Sequence, residues 1–222
     1  MTDSPRLAAV VFDLDGLIVN SEDVYEQANM EVLRRRGKQY DAELRVQMMG
    51  RPTAESLRRM IDWHALEDTV ELLDAERSLL RDKLLETSLE PMPGFVELLE
   101  GLEAAGLPMA IATSSHRSYA ANVLGRLGWH NRFAFVLTAE DVVHGKPAPD
   151  VYQLAAARLE LKPPETMVLE DSENGCRAGI AAGAFTVAVP NRHTCEHDFA
   201  GVAFVADTLA DPRIRQALAL AD

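Results

Sequence analysis

Leu7-Ala8-Ala9-Val10-Val11-Phe12-Asp13-Leu14-Asp15-Gly16 decides the fold. An unbroken apolar run stops at two acids and a glycine, which reads as a strand buried on both faces, as in a parallel sheet. The next run of that kind is Met109–Ala112. Between them lie roughly ninety residues with helical patterns and no good strand. Ser21 reads as an N-cap with Asp23 in the first turn, opening a helix that runs to Arg36 and stops at Gly37. Further helices are expected from Thr53 through Trp63 and over about Val70–Glu86. A parallel crossover needs only about a dozen residues plus its helix, so the long interval is expected to be an inserted helical domain. Glu90-Pro91-Met92-Pro93-Gly94 reads as the return hinge, because its prolines and glycine oppose helix continuation. The expected organisation is a core of 1–19 and 91–222 with a helical cap over 20–90.

After the hinge the pattern alternates. Helices are expected at Phe95–Ala105, Ser118–Leu127, Asp150–Leu159 and once more from near Gly175. Strands are expected at Met109–Ala112, Phe133–Leu137, Met167–Leu169 and Phe185–Val189. Alternation of this kind predicts an α/β fold, a Rossmann-like parallel sheet with helices on both faces.

Composition narrows the partners. The chain has 222 residues, enough for a core domain and a smaller second one, and carries a net charge of -13. Nucleic acid and anionic membranes need a basic surface, so neither is expected. A small anionic substrate remains open, since a few cations can dominate inside a cleft. Two cysteines, Cys176 and Cys195, make no disulfide framework. Without a signal-peptide pattern or a long apolar span, the expected location is the cytoplasm, and the expected state a monomer or weak oligomer.

Four short segments carry chemistry. Asp13 and Asp15 sit where the first strand ends, the edge at which open α/β sheets bind ligands. Two like charges at about 4 Å repel by roughly 4 kcal/mol at an effective dielectric of 20, and a hard divalent cation with oxygen ligands relieves that. The plain alternative is a pair of acids capping a turn. Glu170-Asp171 ends a second apolar strand, and there Asp171 or Ser172 can equally cap the next helix. Thr113-Ser114-Ser115 follows the Met109–Ala112 strand, where hydroxyls and backbone N–H groups suit a phosphate oxygen, although Ser and Thr cap many helices. Lys146, between Gly145 and Pro147, is kept out of a helix. It can point its charge into the cleft or lie in solvent on a loop.

Acid pair, hydroxyl turn, lysine and acid pair follow one another at successive strand ends. This order resembles the haloacid dehalogenase-like hydrolase superfamily. Asp13-Leu14-Asp15-Gly16-Leu17-Ile18-Val19-Asn20-Ser21-Glu22 is similar to its first motif, Thr113 to the second, Lys146 to the third and Glu170-Asp171 to the fourth. The insert after the first motif resembles the cap of the subgroup holding β-phosphoglucomutases and many sugar-phosphate phosphatases.

The resemblance implies a phosphatase acting on a small phosphorylated metabolite. Asp13 would attack phosphorus and form an aspartyl-phosphate, and Asp15 would protonate the leaving oxygen and then activate water. Thr113, Ser114 and Lys146 would hold the phosphate. Mg²⁺ would be bound by Asp13, Asp15 through its carbonyl, Asp171 and Glu170. The cap would close over the site and bar polymers, with Glu22, Tyr25 and Arg51, and His116 from the core rim, as substrate contacts. The alternative is a phosphomutase. However, β-phosphoglucomutases carry a histidine, a lysine and an arginine where this chain has Tyr25, Met49 and Thr53, so the phosphatase is favoured. A non-catalytic phospho-ligand binder is the remaining reading.

Other patterns have plainer readings. His193-Thr194-Cys195-Glu196-His197 reads as a polar surface loop, since a structural zinc site usually draws on two ligand pairs. Gly175, Gly179 and Gly183 share a helix face and allow close packing on the sheet. Arg34-Arg35-Arg36 reads as a charge run favoured by a helix C-terminus.

Overall fold

The computed structural model describes residues 6–48, 51 and 53–220. They form the elements β1 (Ala9–Phe12), α1 (Ser21–Arg34), α2 (Ala42–Met48), α3 (Thr53–His64), α4 (Val70–Thr87), α5 (Phe95–Ala104), β2 (Met109–Ala112), α6 (Arg117–Arg126), β3 (Val136–Leu137), α7 (Asp150–Arg158), β4 (Thr166–Glu170), α8 (Glu173–Ala182), β5 (Phe185–Ala188), β6 (Phe204–Val205) and α9 (Pro212–Ala217). The six strands make one parallel sheet in the order β3-β2-β1-β4-β5-β6. Its centre is the expected apolar set, and β1, β2 and β4 are buried at every position.

Alternation along β1 assigns the two faces. Val11 packs with Val151, Tyr152 and Ala155 of α7 and Ala178 of α8. Phe12 points the other way, edge-on to Phe95 of α5 at 5.7 Å between ring centres, and Phe95 in turn packs at a tilt against Trp129 at 4.9 Å. Helices therefore cover both faces, which is what leaves the central strands so uniformly apolar.

The chain divides into two compact units, one built from the chain up to Asn20 and from Glu90 onward, the other Ser21–Leu89. Exit and return lie side by side: Asn20 N donates to the Glu90 carbonyl at 3.1 Å, and Glu90 N donates to Asn20 Oδ1 at 2.8 Å. The second unit is helical and has its own core, with Val32, Leu33, Leu44, Leu57, Met60 and Leu73 in contact. Among the described residues, no helix is long and apolar enough to cross a membrane.

Several local expectations are corrected. Ser21 is the first residue of α1 rather than its cap, and its buried Oγ has no hydrogen-bond partner. That helix ends at Arg34, with a turn carrying the chain through Gly37 at φ +66°. The arginine run answers to more than a helix dipole. Arg34 and Arg35 grip Glu31, and Arg36 reaches Asp68 and Glu76 across the helical unit. Only Val136–Leu137 of the Phe133–Leu137 run is strand. The helices α2 and α9 and strand β6 were not foreseen, being short and partly exposed.

Candidate active site

Register brings the strand ends together. Phe12 pairs with Ile111 on one side and Leu169 on the other. Asp13 and Glu170, one residue past those positions, and Thr113, two past Ile111, therefore lie at the carboxyl edge of three neighbouring parallel strands. Backbone bonds continue the ladders past the strand ends: Asp13 N donates to Leu169 O at 3.0 Å, and Thr113 N to Leu137 O at 2.9 Å.

Lys146 is not a solvent lysine. Its side chain is only 6% exposed, and Nζ donates to Asp13 Oδ1 at 2.5 Å, Glu170 Oε1 at 2.6 Å and the Ala112 carbonyl at 2.8 Å. All three ammonium donors are thereby used. Glu170, fully buried, also accepts from Tyr152 Oη at 2.7 Å and from Ser172 N and Oγ at 3.3 and 3.1 Å. Gly175 makes room for it, since a Cβ there would fall on the Glu170 carboxylate. Ser172, not Asp171, caps α8 by accepting from Gly175 N at 3.1 Å.

Burial dominates the electrostatics. It pushes the Asp13 carboxyl up to about 8; Lys146 opposes the shift, while Glu170 and Asp15 add to it. For Lys146, burial alone would favour loss of the proton, but Asp13 and Glu170 outweigh it and hold the ammonium charged above the usual lysine range. The Tyr152 phenol and the Cys176 thiol are both raised, chiefly by burial and then by Glu170, so both stay neutral.

Asp13, Glu170 and Asp171 are all buried, and each offers a carboxylate oxygen within 4.8 Å of the others. Three carboxylates against one lysine leave an excess of negative charge that burial penalises. An oxygen-only, acidic, water-poor set of this kind fits a hard divalent cation. Gly16 adds to the fit. It turns at φ +76°, and a Cβ there would lie 2.6 Å from Asp171 Oδ2.

Asp15 sits in a cradle of hydroxyls. Its Oδ2 accepts from Ser115 Oγ at 2.6 Å and Thr113 Oγ1 at 3.3 Å, and its Oδ1 from Tyr119 Oη at 3.0 Å. Thr113 Oγ1 also accepts from Ser115 N at 3.0 Å, which shapes the turn. A cavity of about 150 Å³ opens against Thr113, Ser114, Val143, Gly145 and Lys146.

The structure gathers Asp13, Asp15, Thr113, Ser114, Lys146, Glu170 and Asp171 at this edge. His116 stays at the rim, its Nδ1 2.9 Å from Glu140 Oε1 and its side chain 80% exposed. Glu22, Tyr25 and Arg51 belong to the helical unit. There Arg51 is engaged by Glu55 and the Gln47 carbonyl, and the Arg81 guanidinium lies 5.7 Å from the Tyr25 ring centre. Met49, Gly50 and Pro52 of the expected cap loop lie outside the described residues.

Sequence reasoning missed Tyr119, Tyr152 and Asn191 as members of the site, and it had Ser115 only as a phosphate-side hydroxyl rather than a donor to Asp15, and Ser172 only as a helix cap. For Ser115 and Tyr119 a signal existed: they are four apart, so the turn and first helical turn beyond Thr113 can present both to one place. The His193–His197 loop is less superficial than expected, since Thr194 is buried and His197 Nδ1 accepts from Glu173 N at 3.3 Å.

A buried lysine thus joins two acidic strand ends beside a third carboxylate held by hydroxyls. The model of the haloacid dehalogenase-like hydrolases matches residues 10–189, and the chain belongs to that family. It is a phosphatase. Fructose-1-phosphate phosphatase of Escherichia coli (strain K12) is 33% identical over 184 residues, covering 83% of this chain and 97% of that protein. The bifunctional riboflavin kinase/FMN phosphatase of Arabidopsis thaliana is 29% identical over 213 residues, 94% of this chain, but this chain spans only 55% of its length. A solved hydrolase of the family from Deinococcus radiodurans R1, with bound phosphate and sodium, superposes with a TM-score of 0.81 at 29% identity and covers 98% of this chain and 99% of its own.

Proposed function

We propose that this protein is a Mg²⁺-dependent phosphatase that hydrolyses a small phosphorylated metabolite, a sugar phosphate or similar monoester, through an aspartyl-phosphate on Asp13. The arrangement of Lys146 between Asp13 and Glu170 carries this reading. It holds a nucleophile and its counter-charge where a phosphate would enter. Asp13, Asp171 and Glu170, with the Asp15 carbonyl, would hold the ion. When bound, Mg²⁺ supplies positive charge that offsets the repulsion between an anionic nucleophile and a phosphate dianion.

The chain's own residues then divide the work. An Asp13 carboxylate oxygen forms a bond to phosphorus while the ester bond breaks, and Asp15 gives its proton to the departing oxygen. Asp15, now ionised, takes a proton from the water that attacks the phospho-Asp13 linkage, which releases inorganic phosphate and restores Asp13. Lys146 offsets charge on the transferring group, and Glu170, braced by Tyr152 and Ser172, keeps Lys146 in place. Thr113, with the backbone N–H of Ser114, receives phosphate oxygens. The likeness to a fructose-1-phosphate phosphatase over most of both chains supports a sugar-phosphate substrate.

The test is phosphate release from a panel of sugar phosphates, phosphoglycolate and nucleoside monophosphates, with Mg²⁺, with EDTA, and with Asp13→Asn. Release should require both Mg²⁺ and Asp13. Release that survives Asp13→Asn would sink the proposal, and conversion of β-glucose 1-phosphate to glucose 6-phosphate without release would show a mutase instead.

A further inference from the structure

Asn191 lies three residues past the end of β5, at the head of the loop that runs to His197, and nothing in the reaction above uses it. Its side chain is nonetheless tied into the site. Nδ2 donates to Asp171 Oδ2 at 2.9 Å and to the Gly16 carbonyl at 3.0 Å. Both amide hydrogens are thereby used. One reaches a carboxylate of the acidic group, and the other reaches the Gly16–Leu17 peptide, one residue beyond Asp15.

The amide cannot swing away from these partners. Oδ1 accepts from His193 N at 2.7 Å. The backbone N donates to Thr194 Oγ1 at 3.0 Å, and the backbone carbonyl accepts from Thr194 N at 3.1 Å. Every polar atom of Asn191 therefore has a partner, and buried Thr194 closes the turn beneath it. The fit on the other side is equally close: a Cβ on Gly16 would come within 2.7 Å of Asn191 Nδ2. This loop, which looks from its histidines and cysteine like a possible metal site of its own, instead presents one amide to the acidic group.

We infer that Asn191 is a positioning residue for the divalent cation: it fixes the orientation of Asp171 and locks the Asp15–Gly16 turn beside it, so that the ligand oxygens are set before the ion arrives. This rests on the Mg²⁺ reading above. A ligating carboxylate held by a hydrogen-bond donor is the usual outer layer of a metal site, and losing such a partner typically weakens metal binding about 10–100-fold.

The experiment measures Mg²⁺ affinity of the substrate-free protein by titration calorimetry for wild type, Asn191→Ala and His197→Ala. His197 anchors the far end of the same loop without touching the acidic group, so it reports what loosening the loop does by itself. The expected result is Mg²⁺ binding weakened about 10–100-fold in Asn191→Ala, unchanged within about twofold in His197→Ala, and phosphate release by Asn191→Ala largely recovered at high Mg²⁺. If Asn191→Ala does not fold, Asn191→Ser takes its place, with a loss of at least about fivefold expected from one weaker donor. Folded Asn191→Ala or Asn191→Ser binding Mg²⁺ like wild type would overturn the inference and leave the phosphatase reading intact. Equal weakening in His197→Ala would reduce Asn191 to a loop strut. Wild type that binds no Mg²⁺ would instead bring down the metal reading, and this inference with it.

Discussion

Tyr119→Phe removes one oxygen and nothing else, and it strips Asp15 Oδ1 of its 3.0 Å phenolic donor. A hydrogen bond to a charged group contributes about 1.5–3 kcal/mol. Asp15 is only partly buried and keeps Ser115 Oγ at 2.6 Å, so the lower end applies. About 1.5 kcal/mol corresponds to roughly tenfold in rate. The loss should depend on the leaving group. An alkyl phosphate expels a strongly basic alkoxide that must be protonated by Asp15, whereas a nitrophenyl phosphate expels a stable anion that needs no proton. kcat/KM reports the steps through phosphorylation of Asp13 and so isolates this half of the reaction. Tyr119→Phe should lower kcat/KM about tenfold on the alkyl ester and leave it within about twofold on the aryl ester. Asp15→Asn should show the same split, much enlarged. An equal loss on both esters would mean that Tyr119 supports the fold rather than the proton transfer. If Asp15→Asn itself showed no split, Asp15 would not be the acid.

Three further outcomes follow from the same geometry. Lys146→Met leaves Asp13 and Glu170 facing each other without their shared cation, and phosphate release at saturating substrate should fall by about 10²-fold or more; a loss under tenfold would refute the role given to the lysine. Gly175→Ala drives a methyl into the Glu170 carboxylate, and overpacking of this kind costs about 1–3 kcal/mol, or roughly 2–12 °C in Tm for a chain of this size; an unchanged melting curve would show that Glu170 has room to move. The third outcome concerns pH. The folded Asp13 carboxyl titrates near 8, above its ordinary 3.8, so between these values the folded chain holds a proton that the unfolded chain releases. Stability of the metal-free protein should therefore fall as pH rises from about 4 to about 8. Asp13→Asn in EDTA should show a flatter Tm profile across that window, as should wild type in saturating Mg²⁺; parallel profiles for variant and wild type in EDTA would contradict the burial argument.

Much of this was legible along the chain. The strands β1, β2, β4 and β5 announce themselves because burial on both faces demands uninterrupted apolar runs, and a parallel sheet places the residues after such runs at a single edge. That logic reaches Asp13, Thr113 and Glu170 from local pattern, and the excess length before β2 reaches the inserted helical unit. Short elements such as α2, β6 and α9 escaped notice because a few residues cannot display a period.

The acids and the hydroxyl turn were thus determined by the sequence alone, because each follows an apolar run that must be buried, whereas the place of Lys146 was not. Tertiary structure alone decided which donor each acid receives. Asp15 takes Tyr119 from 104 residues away, Glu170 takes Tyr152 from 18, and Asp171 takes Asn191 from 20. No local pattern encodes these pairings. They exist because the order β2-β1-β4-β5 sets particular strand ends beside one another, and a buried carboxylate must then draw its hydrogen bonds from whatever the neighbouring loops present.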